Sequence, residues 1–116
     1  MKHILWVSRH PPTNDQITEL GSILGDHNLV FTRHEKSVEK HEELLELYNR
    51  GKYDDMVVTL PIELIGKLCR AGIRPIRTVH IMTGYENGTN MRLYKFLRFE
   101  RIHAVTVKRE PLKGGK

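Results

Sequence analysis

Short apolar runs alternate with helix-like stretches along this chain, and that alternation limits the fold more than any other feature. The runs lie in His3 to Val7, Asn28 to Thr32, Asp54 to Leu60 and Pro75 to Met82. The third contains Met-Val-Val-Thr-Leu, a near-continuous apolar segment of the kind found in strands covered on both faces. Between the runs, the apolar spacing switches from strand-like to a period near 3.6 residues. Strand and helix in strict alternation imply a mainly parallel sheet with helices on both faces and right-handed crossovers.

The helix ends are written in the sequence. Thr13 offers an N-cap oxygen, and Gln16 three residues later completes a capping box. Ile17, Leu20, Ile23 and Leu24 keep the helical period, and Gly25 provides the left-handed stop. Ser37 is expected to open the second helix, with Val38, Leu44, Leu45, Leu47 and Tyr48 inward and Gly51 at its end. Its outer face carries Glu39, Glu42, Glu43 and Glu46, and Glu46 has the favourable four-residue spacing to Arg50. Pro61 suits the first position of a third helix, whose stripe is Ile62, Ile65, Leu68 and Cys69 and whose stop is Gly72. Beyond Met82, Gly84 and Glu86-Asn87-Gly88 carry turn chemistry. Met91 to Phe99 and Ile102 to Lys108 read as two further strands, at least one of them antiparallel. The expected architecture is a small Rossmann-like α/β domain over residues 1–112, with a C-terminal antiparallel strand pair and a frayed tail at 113–116.

A chain of 116 residues suffices for one core without disulfides or metal. It holds one cysteine, Cys69, placed within a helical apolar pattern, which excludes a disulfide framework. No apolar run reaches membrane-spanning length, and the N-terminus lacks a signal-peptide pattern, so a cytoplasmic protein with no membrane partner is expected. Charge is unevenly divided. Residues 1–66 carry 7 Lys/Arg against 11 Asp/Glu, a net −4, whereas residues 67–116 carry 12 against 3, a net +9. A basic half suits a polyanionic partner such as RNA, DNA or a nucleotide, and equally suits a solvated surface.

Ligands of such sheets bind beyond the carboxyl ends of the parallel strands. Those ends deliver Ser8, Arg9 and His10 after the first strand, Thr32, Arg33 and His34 after the second, and Thr59 after the third. Guanidinium forks, imidazoles and two helix N-termini at one edge make an anion-binding set. Each member also has a plainer role: His10 buttressing its loop, Arg33 and His34 as loop residues, and Thr59 as a helix cap. Ser8 can donate to a phosphate, but with no base assigned beside it it is a poor nucleophile. A G-x-G-x-x-G turn, a Walker loop and an H-E-x-x-H helix are all absent from the sequence, which argues against a dinucleotide cofactor. The seven histidines lack ligand spacing, and Asp54 and Asp55 start a strand rather than end one, so no metal and no cofactor are expected. Arg92, Tyr94, Lys95, Phe96, Arg98, Phe99 and Arg101 interleave basic and aromatic groups, as strands that track linear RNA or DNA do; core aromatics with outward charges give the same pattern.

The first strand followed by Ser8-Arg9-His10-Pro11-Pro12-Thr13-Asn14-Asp15-Gln16 resembles the opening of small Csx-type CRISPR-associated proteins. The close resemblance covers about the first quarter of the chain; Arg9 and the doubled proline depart from the commonest pattern. Proteins of that kind have Rossmann-like folds, and several are ring nucleases that degrade cyclic oligoadenylate messengers of type III CRISPR immunity. The resemblance implies a metal-independent ring nuclease. Arg9 and His10 would be its catalytic residues, and Ser8, Thr13, Arg33, His34 and Thr59 would bind ligand. A ring with rotational symmetry would suit a two-fold homodimer. A non-catalytic nucleotide sensor or sequestering protein would use the same loops.

Overall fold

A computed structural model of the chain describes residues 1–112 and 114. The elements are β1 (Lys2–Val7), α1 (Asn14–Leu24), β2 (Leu29–His34), α2 (His41–Gly51), β3 (Asp55–Val58), α3 (Ile62–Arg70), β4 (Ile76–Tyr85) and β5 (Arg92–Arg101). They form one five-stranded sheet in the order β2-β1-β3-β4-β5, parallel throughout except for the antiparallel β4–β5 pair. This is the small Rossmann-like α/β arrangement that the alternation predicts. The expected tail lies outside the described residues except for Gly114.

Two cores follow from the period of two along the central strands. Leu5, Val7, Met56 and Val58 face α2 and α3, meeting Leu44, Ile65, Leu68 and Cys69. Ile4, Trp6 and Val57 face the other way, with Ile76, Phe99 and Leu20 of α1. The chain travels one way along the sheet from β1 to β2, then back across β1 to β3 and β4. A constant crossover hand therefore puts α1 on one face and α2 and α3 on the other. Each fully buried aliphatic chain here contributes roughly 1.5–3 kcal/mol.

The local signals mostly hold. Thr13 and Gln16 make the capping box, with Thr13 Oγ1 accepting from Gln16 N at 3.2 Å and Gln16 Oε1 accepting from Thr13 N at 2.9 Å. Gly25 is left-handed at φ +70°. Ser37, however, does not open α2. The helix begins at His41, because residues 35–40 must first carry the chain across the end of the sheet. Ile62 is exposed and Leu64 buried instead, since Ile62 lies about a third of a turn from the centre of the Leu64-Ile65-Leu68 stripe. Pro61 is the N-cap residue of α3 rather than its first residue.

The C-terminal part departs further. Residues 102–108 form no strand: Ile102 N donates to Pro75 O at 3.0 Å, and Ile102 and Val105 then pack against the α2–α3 core. Packing, not pairing, places that segment. β4 pairs with β3 only at Val57↔Ile76 and Val58↔Arg77. From Thr78 to Tyr85 it continues past the end of β3 with β5 alone, roughly 26 Å of two-stranded ribbon at 3.3 Å per residue. The radius of gyration, 17.0 Å, exceeds the roughly 13 Å of a compact chain of this length. The ribbon rises beside the carboxyl edge of the sheet, where the residues expected to bind a ligand lie.

Candidate functional site

The loop after β1 is held from two sides. Ser8 Oγ accepts from His10 N at 3.2 Å, and the buried Trp6 indole donates to His10 O at 2.7 Å. With its main chain tied inward, the loop presents the exposed side chains of Arg9 and His10 outward. Thr59, next along the edge, donates its N–H to Val7 O at 2.9 Å, and its hydroxyl shares a hydrogen bond with Thr78 at 2.9 Å. Ser8 and Thr59 form a ridge with a cleft on either side.

The first cleft, about 270 Å³, lies at the switch point where β1 and β3 lead to opposite sides of the sheet. Arg9, His34, Lys36, Ser37 and the turn into α3 surround it. Arg9 reaches Ser37, its Nη2 donating to Oγ at 2.9 Å, so the serine expected to cap a helix orients a guanidinium instead. His34 Nε2 is buried with no hydrogen-bond partner among the described residues. Pro61, at the N-cap of α3, supplies no side-chain acceptor to the helix's first amides. Glu35 also borders the cleft, but Arg33 engages it at 3.0 Å. The positive charge of Arg9 and Lys36 is therefore left to face whatever enters.

The second cleft, also about 270 Å³, lies on the α1 side. His10, Thr13 and Gln16 form one wall, and the β4–β5 ribbon supplies His80, Tyr94 and Phe96 for the other. His80 meets Phe96 edge-on, with centroids 5.9 Å apart. The Thr13 hydroxyl here serves as the α1 cap.

Of the residues expected at the site, Ser8, Arg9, His34 and Thr59 meet in the first cleft, while His10 and Thr13 join the second. Arg33 joins neither. It is registered with Trp6 and His34 with Val7, so the strand period sends the two side chains to opposite faces. The second Arg-His pair is therefore split by the sheet. The Arg9-His10 pair is split by the ridge.

Comparison with protein-family models, curated proteins and solved structures finds no match to this chain.

Lys36, Ser37, His80 and Tyr94 complete the clefts without having been expected there. Ser37 was legible only as a cap, and Lys36 had no local signal. His80 reaches the site on the part of β4 that outruns β3, and Tyr94 on the β5 strand paired with it. Among the described residues, no group of three or more His, Cys, Asp or Glu could hold a metal ion, and no helix is long and apolar enough to cross a membrane.

Proposed function

We propose that this chain is a metal-independent ring nuclease that binds a cyclic oligoadenylate across the Ser8–Thr59 ridge and cleaves it. The observation that carries the reading is the cationic first cleft at the sheet's switch point, where Arg9 and Lys36 face an opening whose one carboxylate is engaged elsewhere. A phosphodiester is the anion suited to such a fork beside open helix amides. In the reaction, the ribose 2′-oxygen bonds to the adjacent phosphorus as the bond to the 5′-oxygen breaks. The 2′-OH releases a proton and the 5′-oxygen takes one up. Arg9 neutralises charge building on the non-bridging oxygens, and Ser8 donates to one of them. His10, on the other flank of the ridge, handles the proton of whichever oxygen lies over its cleft.

Pure protein is incubated in EDTA with cyclic tri-, tetra- and hexa-adenylate. Cleavage of at least one ring is expected; survival of all three without binding would sink the proposal. One observation favours a second reading, a sequestering protein: the ridge separates Arg9 from His10. Ligand-induced thermal stabilisation without product would select it.

The same proposal includes a two-fold homodimer. Ile81, Leu93 and Leu97 lie exposed on a ribbon that a single chain does not cover, and isolated two-stranded ribbons are marginal in water. Leu93→Glu is expected to convert a dimer to a monomer by sedimentation. Aliphatic groups on that surface favour protein over linear RNA or DNA as its partner, and Arg98 already engages Glu100 at 2.9 Å.

A further inference from the structure

We infer that the second cleft is a nucleobase site, with a purine ring stacked on Tyr94 and its sugar and phosphate passing over the Ser8–Thr59 ridge toward Arg9. The inference extends the phosphate reading of the first cleft, but it does not require that any bond be cleaved.

The two clefts share the ridge and differ in chemistry. Arg9 and Lys36 border the first, whereas among the described residues no Lys, Arg, Asp or Glu borders the second. Rings dominate it instead: Trp6 at its base, Phe96 and His80 on the ribbon, and Tyr94 above. The pairs His80↔Phe96 and Met82↔Tyr94 set these side chains on one face of the ribbon. Trp6 and Phe99 are packed edge-on to each other in the core below. Tyr94 differs from these: it is 59% exposed, on a ribbon that has already left the sheet. Tyr94 thus brings to the cleft's lining a phenol ring whose π-face is not covered by another ring, and every nucleobase has a π-face to stack on one.

Size points the same way. Each cleft, at about 270 Å³, falls just below the roughly 300–1,000 Å³ typical of small-ligand sites. Joined across Ser8 and Thr59, they fall within it. A nucleotide is the ligand class with an aromatic half and an anionic half on a polar linker. The hydroxyls of Ser8 and Thr59 stand where the sugar would cross.

Trp6, the chain's one tryptophan, borders this cleft and donates to His10 O, so its emission reports on occupancy. The test titrates the protein with adenosine, AMP and inorganic phosphate, following Trp6 emission and, by calorimetry, affinity. Adenosine and AMP are expected to change the emission saturably, and inorganic phosphate to leave it unchanged. Tyr94→Ala should weaken AMP about tenfold or more, Tyr94→Phe should restore it, and Arg9→Ala should weaken AMP but not adenosine. Absence of adenosine binding, binding without a change in emission, or equal AMP affinity in Tyr94→Ala would each overturn the inference. Ring cleavage is read separately. If adenosine binds through Tyr94 but no ring is cut, the nuclease reading fails and the base site stands. If rings are cut while Tyr94→Ala binds AMP like the parent, the reverse holds.

Discussion

At the amino ends of the strands, Asp55 accepts from both terminal nitrogens of Arg101 at 2.8 Å, and Arg101 also donates to Arg74 O at 2.7 Å. Asp54 accepts from His3 N at 2.7 Å. At the carboxyl ends, among the described residues, Arg9 has a single neutral partner, Ser37, and His34 Nε2 has none. The amino edge has the larger hollow, about 440 Å³ against 270 Å³ for either carboxyl-edge cleft. Volume alone would favour the amino edge. Compensation of charge separates them: the Asp55 carboxylate, hydrogen-bonded to Arg101, holds the guanidinium proton above the usual arginine range. Burial likewise pushes up the neighbouring Tyr48 phenol. The amino edge is a clamp fastening β5 to β3, whereas at the carboxyl edge Arg9 and Lys36 border the first cleft with no carboxylate paired to them among the described residues.

Substitutions at each edge should break the molecule in different ways. Arg101→Ala should have the largest effect, because it leaves the nearly buried Asp55 carboxylate without its bidentate partner. A loss of about 2 kcal/mol in urea unfolding is expected, with affinity for the ligand unchanged once the protein is folded. A weaker effect on stability than on binding would mean that the amino edge is not structural. Next comes Arg9→Ala, expected to lower cyclic oligoadenylate turnover about tenfold or more, equivalent to about 1.4 kcal/mol, while moving the unfolding midpoint little. His10→Ala should lower turnover similarly. Unchanged rates in both would move the site away from the first strand's loop. Thr13→Ala should have the smallest effect, about 1 kcal/mol of stability through loss of the α1 cap. A large loss of binding with little loss of stability would instead make Thr13 a ligand contact.

The capping box at Thr13, the left-handed Gly25 and the doubly covered run at Met56 to Val58 could all be read locally, because each rests on residues within a few positions of one another. The start of α2 could not. Ser37 looks like a cap in sequence, but a guanidinium 28 positions away takes its hydroxyl. Arg33 and His34 look like one pair after a strand; they are separated because β2 continues through both, where neighbours face opposite ways.

The sequence by itself determined the alternation of strands and helices, the capped entry into α1 and the residues at the first strand's end. Those features are local, set by periodicity and by hydrogen bonds over three or four positions. Only the tertiary structure decided that Arg9 and His10 open onto different clefts and that His80 and Tyr94 form a wall beside the ridge. Those outcomes depend on strand order and on how far β4 outruns β3. Both follow from contacts between distant parts of the chain, which no local pattern records.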